Sequence, residues 1–495
     1  MSKDALIVVD FGSSALKVQA VTFEGDLLAE EKEKPTIVKD ESSLSVEYDS
    51  GVVTSLVLDC LRLVNLKVQR LGYKVRGIGC TSQRFNMVLL DREGRVLCMS
   101  PNNDPRGFLA RLNLNEQDLR KLYSLTGLCP PQLFAPARLK WFEDYNAGVL
   151  SRVAKIMTMC DYLVYTLCDR IVTDPTSAAG SMLFDVRKGS WCTEALEIFG
   201  VEENSLPEVT DTGEVVGYLS EKVASKTALP KDVPVVVCGG DTQSAFFSMH
   251  VFDADDAGVV MGHTIPVGVV TNEPRLDEQM RTWLTPLLRE RWLVESNAGP
   301  LGLFVEWSLG NIFRSSDFSI LDGLAELAPP GAKGLLMKLY PSISDVKILG
   351  HQDVRGLISL PPLASPFSEL VGLEDVARSL IEFIVFSVKA NLNQALTVAR
   401  RKLKRVAVTG GLTRLTLMRK LLPSVLSFST EFTKHHYGTA LGCAAMVARA
   451  LGYYASLEDA VRAMSPVIIV EPIQELKHCY EPIYTSWLSF YTSQA

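Results

Sequence analysis

Four carboxylates stand where apolar runs meet turn residues: Asp10, Asp91, Asp104 and Asp241. The ends of buried strands are where α/β proteins present groups to a ligand. A carboxylate there can accept a proton from an attacking hydroxyl or help place a divalent cation. The same residue type also makes Asx turns and caps helices, so a lone Asp decides nothing. Asp91 lies in Asp91-Arg92-Glu93-Gly94, a plain hairpin turn, and is set aside. Asp241 follows an apolar run and two glycines, Gly239-Gly240, and opens an apolar helix through Ala245, Phe246 and Phe247. Capping accounts for its type but not for its place at the junction of two half-chains.

Polar glycine turns are the second signal. Asp10-Phe11-Gly12-Ser13-Ser14 and Gly262-His263-Thr264 each separate two apolar runs, and Gly410-Gly411 follows another. Backbone N–H groups and hydroxyls in such a turn converge on one spot, which suits a phosphate, and Asp10 beside it can hold a metal ion or its water. Singly, each glycine reads equally as a hairpin or cap glycine; two in matching hairpins and a third after a buried strand are more informative. His263 alone reads as a turn hydrogen-bonder. His435-His436 has no third ligand nearby in sequence and reads as a surface pair.

The elements that must position these residues follow from periodicity. Residues 5–9 form a buried-strand run, 15–23 a second strand, and Glu24-Gly25-Asp26 a hairpin into a third. Val53, Val57, Leu61 and Val64 recur at helical spacing, and that helix feeds a strand over 75–80 ending at Thr81-Ser82-Gln83-Arg84. This order indicates an α/β layer architecture with a mixed sheet. Similar elements return later: strands over 234–238, 258–261 and 265–270, a helix over 376–403, a strand over 406–408 and a helix over 440–451. The glycine hairpins near 12 and 262 are about half a chain apart, which implies an internal duplication with the turns facing across a cleft. The division is expected near residue 245, giving domains 1–244 and 245–495.

Composition narrows the partners. The chain has 495 residues, 47% hydrophobic and 22% charged, with a net charge of -7 from 50 Lys and Arg against 57 Asp and Glu. That balance and the lack of a basic block argue against nucleic acid and favour small molecules. Ten cysteines without a CxxC, mostly inside apolar runs, fit free thiols in a reducing cytosol. No signal peptide or membrane span is expected: the N-terminal apolar run is short, and the apolar stretch around 380–388 carries Glu382 between Arg378 and Lys389.

In this order the motifs resemble the FGGY carbohydrate kinases, which include glycerol, xylulose, gluconate and ribulose kinases. Asp10-Phe11-Gly12-Ser13-Ser14-Ala15-Leu16-Lys17 is similar to the family's opening phosphate hairpin, and Gly77–Arg84 to the strand carrying a substrate-contacting Gln. Asn102-Asn103-Asp104-Pro105-Arg106 resembles W-x-D-x-R, Gly239-Gly240-Asp241 the segment with the catalytic base, and Gly262-His263-Thr264 the second phosphate turn. Glu295-Ser296-Asn297-Ala298-Gly299 with Trp307, Val354-Arg355-Gly356, Thr409-Gly410-Gly411 and Ala440–Ala445 match later family stretches in order. Three departures stand out. Asn102 occupies the aromatic position, as non-Trp residues do in autoinducer kinases of the family. His263 stands where the family has Thr, and Gln243 fits neither the glycerol-kinase nor the xylulokinase pattern.

The resemblance implies two actin-like (ribonuclease H-like) domains, with mixed sheets flanked by helices, and a cytoplasmic enzyme that phosphorylates a sugar or polyol hydroxyl with ATP and Mg²⁺. A ketopentose or related carbohydrate is the expected substrate. Asp241 would be the base; Gln83, Arg84, Asp104, Arg106, Asp241 and Gln243 would hold the substrate. Gly12, Ser13, Ser14, Lys17, Gly262, His263, Thr264, Gly410 and Gly411 would hold ATP, and Asp10 would place the metal through water. A homodimer is expected by analogy. The competing readings are a weakly active or inactive nucleotide- and sugar-binding regulator, and an actin-fold ATPase acting on a protein.

Overall fold

The computed structural model describes residues 3–345, 355–361 and 370–492; Val354, part of one family-like stretch, lies outside them. The first half is organised by six strands: β1 (Asp4–Phe11), β2 (Leu16–Thr22), β3 (Leu27–Glu33), β4 (Lys74–Ser82), β5 (Val215–Tyr218) and β6 (Pro234–Gly240). Their order across the sheet is β5-β6-β4-β1-β2-β3. β1, β2 and β3 run antiparallel in sequence, and β4 lies parallel to both β1 and β6. Every residue of β1 is buried, as expected of a central strand covered on both faces. Ala5, Ile7 and Val9 face one cluster with helix α1 (Ser50–Arg70), whereas Leu6 and Val8 face a second cluster. That alternation is the period of two along an extended chain. Asp49 starts α1 by accepting a hydrogen bond from Val52 N.

The second half repeats the plan with β7 (Asp256–Val260), β8 (Pro266–Thr271), β9 (Trp283–Leu288), β10 (Arg291–Asn297), β11 (Arg405–Thr409), β12 (Thr430–Thr433) and β13 (Val467–Val470), ordered β9-β10-β8-β7-β11-β12-β13. The run β3-β2-β1-β4-β6 in one sheet matches β10-β8-β7-β11-β12 in the other. In each, three antiparallel strands are followed by two parallel ones. The duplication expected from the glycine hairpins is therefore present in the sheets themselves.

Helices α2 (Asp241–Ser248), α3 (Leu301–Asn311), α4 (Leu373–Ala399) and α5 (Gly438–Ala450) complete the frame. α4 ends before the expected 403 because Arg400 takes up a left-handed conformation, φ 52°, and caps it. Between the sheets, Phe246 and Phe247 of α2 and Cys443, Ala444 and Val447 of α5 share a core with Val236 and Cys238 of β6 and Ala407 of β11. A Cβ on Gly442 would lie 1.7 Å from Ser244 O, so α2 and α5 touch backbone to backbone. Among the described residues no helix is long and apolar enough to cross a membrane. The ten cysteines are free, and all but Cys168 and Cys479 are buried.

Candidate active site

The first glycine hairpin joins β1 to β2, with Asp10 directly opposite Lys17. Gly12 N donates to Ala15 O at 3.0 Å and closes the turn. Lys17 Nζ lies 3.8 Å from Asp10 Oδ2, while Asp10 Oδ1 is buried without a protein partner. Burial raises the Asp10 carboxyl above its usual value, and Lys17 offsets part of the rise. A buried oxygen of this kind calls for a water or a cation.

The second hairpin, between β7 and β8, meets the first. Ser14 Oγ is 3.5 Å from His263 Nδ1, and His263 Nε2 is 3.1 Å from Glu306 Oε1 on α3. His263 O accepts from Gly302 N at 3.0 Å and Leu303 N at 3.3 Å, which seats the turn on the start of α3. Gly410-Gly411 is drawn to the same place: Met261, preceding the hairpin, donates to Thr409 O at 2.7 Å and accepts from Leu412 N at 3.2 Å. The space over Gly411 is open.

Asp241 stands where β6 turns into α2. Gly239 has φ 70°, and a Cβ there would fall 2.0 Å from Thr176 Oγ1 and 2.6 Å from Asp174 Oδ2, so the position requires glycine. Thr176 Oγ1 accepts from Gly240 N at 3.0 Å and donates to Asp174 Oδ2 at 2.7 Å, fixing the backbone just ahead of Asp241. Asp241 Oδ1 accepts from Thr242 N at 2.7 Å; among the described residues Oδ2 has no partner. Burial first, and then the charge of Asp10, push the Asp241 carboxyl up to about 6, with Arg84 opposing. Such a carboxylate is ionised at neutral pH yet more basic than an ordinary one.

Among the residues expected to hold substrate, Gln83 N donates to Phe11 O at 2.8 Å and its Nε2 to Tyr48 Oη at 3.2 Å. Gln243 Nε2 donates to Thr285 Oγ1 at 3.3 Å. The Oε1 atoms of both glutamines are buried without partners. Arg84 forks onto Glu295 of β10 with two bonds of 2.8 Å, joining the two halves. Phe85, next in the chain, has φ 65°, an uncommon conformation for an aromatic residue. Its ring packs edge-on against Phe134 and Trp283, at 5.1 and 5.0 Å between centroids. A cavity of about 10 Å³ is bordered by Gln83, Arg84, Phe85 and Gly240.

Asp104 and Arg106 are also buried, but they are engaged with each other. Arg106 Nη2 donates to Asp104 Oδ2 at 2.7 Å and its Nη1 is 2.7 Å from Glu47, while Ser100 Oγ donates to Asp104 at 2.6 Å. Their loop reaches the first hairpin through Asn102 Nδ2, 3.3 Å from Ser13 Oγ. The structure thus gathers Asp10, Lys17, Ser14, His263, Gln83, Arg84, Asp241 and Gln243 around one cleft, with Asp104 and Arg106 bracing its wall. Sequence reasoning missed Glu306, Tyr48, Thr176 and Phe85. Only Glu306 carried a signal, as the sole charged residue in the apolar run of α3. A larger cavity of about 830 Å³, bordered by Thr212, Trp292, Met446 and Arg449, contains none of the expected site residues.

Family models agree with this geometry. The N-terminal domain of the FGGY family of carbohydrate kinases matches residues 5–248, and the C-terminal domain matches 258–451. The chain belongs to that family. It is 25% identical to the autoinducer-2 kinase of Yersinia pestis over 100% of this chain and 95% of that protein. The fold superposes on a ligand-bound xylulose kinase from Lactobacillus acidophilus with a TM-score of 0.86 at 17% identity, covering 99% of this chain and 98% of the other. Plasmodium falciparum glycerol kinase with ADP gives 0.83 at 17% identity, covering 100% of this chain and 99% of the other. Such distant structures establish the fold, and the two-domain FGGY architecture is the one the motifs implied.

Proposed function

We propose that the protein transfers the γ-phosphoryl group of ATP to a hydroxyl of a sugar or polyol, with Asp241 as general base. The observation that carries this reading is the Asp241 carboxyl, pushed up to about 6, with one oxygen free at the meeting point of the two hairpin-bearing halves. We take residues 1–244 as the half carrying the first hairpin and the substrate, and 245–495 as the nucleotide half. The substrate hydroxyls would donate to the buried Oε1 atoms of Gln83 and Gln243, two acceptors without partners. Arg84, Asp104 and Arg106 already have ionic partners, which favours a neutral polyol or sugar over an acid. The attacking hydroxyl would give its proton to Asp241 Oδ2. Ser13, Ser14, Lys17 and the His263 hairpin would hold the phosphates, and Gly410-Gly411 would lie along the nucleoside.

The chain's residues fit a magnesium ion that arrives with ATP. Asp10 Oδ1 is a buried acceptor without a partner, and among the described residues no group of three His, Cys, Asp or Glu forms a protein cage. Asp10 would hold the ion through water. When bound, the ion neutralises charge on the phosphates. Contact between the hairpins would exclude water from the transfer. Free buried thiols suit a reducing cytoplasm.

The deciding experiment is ADP release with Mg-ATP across ketoses, aldoses, polyols, sugar acids and autoinducer-type compounds, alongside Asp241→Asn. The panel includes the last class because of the full-length similarity to autoinducer-2 kinase. The expected outcome is ADP release driven by one compound and lost in the variant. Nucleotide binding without stimulation by any compound would instead favour a regulator.

A further inference from the structure

We propose that Glu306 is a positioning residue for the phosphate hairpin: its carboxylate accepts a hydrogen bond from His263 Nε2 and so holds the ring, with Nδ1 facing Ser14, at the gap that the phosphates of the nucleotide would enter. This inference rests on the phosphate-binding reading of the two hairpins. His263 stands where the family pattern has Thr. A threonine there supplies one short hydroxyl, whereas an imidazole spans from the carboxylate on α3 to the opposite hairpin. The ring makes one contact at each nitrogen: Glu306 Oε1 to Nε2 at 3.1 Å, and Nδ1 to Ser14 Oγ of the opposite hairpin at 3.5 Å. The ring therefore lies between a fixed acceptor and the gap that the phosphates would enter.

The turn and the ring are each held by α3. The start of α3 contributes only uncharged backbone donors, Gly302 N and Leu303 N, both directed at His263 O. Among the described residues His263 is the one polar partner of Glu306. A hydrogen bond to a carboxylate is stronger than one between neutral groups, so this contact can fix the ring's orientation. The backbone contacts to α3 hold the hairpin, and the carboxylate one turn along the helix holds the ring. Both side chains are accessible, at 34% for His263 and 53% for Glu306, so substitution there leaves the core intact.

The test uses full-length protein with the substitutions Glu306→Ala, Glu306→Asp, His263→Thr and the Ala–Thr pair. Glu306→Ala is expected to lower kcat/KM for ATP about tenfold, within the range for losing a charge-assisted contact, while KM for the carbohydrate stays unchanged. Glu306→Asp should recover most of the loss. In the His263→Thr background Glu306→Ala should cost nothing further. Unchanged ATP kinetics, or a loss that adds fully to that of His263→Thr, overturns the proposal. Calorimetric binding of ATP and adenosine runs in parallel. If no carbohydrate is turned over, but Glu306→Ala weakens ATP and not adenosine, the kinase reading fails and the role of Glu306 stands. Equal ATP affinity in wild type and variant overturns that role.

Discussion

A carboxylate that accepts a proton at neutral pH has to be ionised and yet basic, and the surroundings of Asp241 supply both conditions. Burial and the neighbouring Asp10 raise its carboxyl to about 6, and Arg84 keeps it from rising further. Replacing it with Asn should lower turnover by roughly 10²–10⁴-fold, the usual weight of general-base catalysis, with ATP binding retained; near-normal turnover would remove Asp241 from the mechanism. In the wild-type enzyme kcat/KM should fall with unit slope below about pH 6, where the base becomes protonated. A profile flat to pH 5 would contradict that assignment. The same shift makes a statement about stability. A carboxyl raised in the folded state contributes stability that is fully present below its unfolded value of 3.8 and is lost as pH rises through about 6. Asp241→Asn should therefore be more stable than wild type at pH 8, by about 1–2 kcal/mol once the part of the group open to solvent is discounted. The difference should vanish towards pH 4. Urea unfolding at the two pH values reads both numbers, and equal stability at pH 8 would show that the charge is not strained.

At the scale of elements, the Arg84–Glu295 fork ties the end of β4 to the middle of β10, and both side chains are almost fully buried. Removing one partner leaves a charge in a dry interior. Glu295→Ala should cost roughly 3–5 kcal/mol of stability, measured as a lower urea midpoint with an unchanged slope; a cost under 1 kcal/mol would mean that Arg84 finds water. This pair also marks the limit of what the sequence discloses. Apolar runs over 5–9, 234–238 and 406–408 made β1, β6 and β11 visible. The strands extend further, through Asp10 and Phe11 and through Thr81 and Ser82 of β4, because their ladder bonds continue into polar residues that hydropathy treats as turn. The hairpin glycines and Asp241 were legible because their chemistry is local: a turn, a strand end, a helix start. Arg84 and Glu295 are 211 residues apart, and Ser14 and His263 are 249 apart. No spacing rule connects such pairs. Asp104 and Arg106 show the converse. Their motif marked them as substrate contacts, yet the two lie close enough in sequence to satisfy each other.

Over the whole molecule, two copies of one sheet topology share a core made by α2 and α5. α2 begins with the proposed base, and α5 crosses it at Gly442, where the backbones touch. The base is therefore carried on the element that joins the halves, so its aim at the hairpins depends on how closely the two helices approach. Gly442→Val tests this dependence. Its side chain would have to occupy space already taken by Ser244 O, 1.7 Å from where a Cβ would lie, and the obstruction is backbone that cannot swing aside. The helices must separate, at a cost of roughly 1–3 kcal/mol for an overpacked core. Because the displacement moves the start of α2 relative to the glycine hairpins, turnover should drop more than the residual folded fraction explains. ATP affinity should change less, since the hairpin of β7 and β8 and Gly410-Gly411 lie on one sheet. An exposed control, Gly310→Val on α3, meets nothing within 4 Å. It should leave the thermal midpoint within the few degrees expected of its helix propensity. A Gly442→Val enzyme with full stability and turnover would show that the two halves are not held in register through these helices.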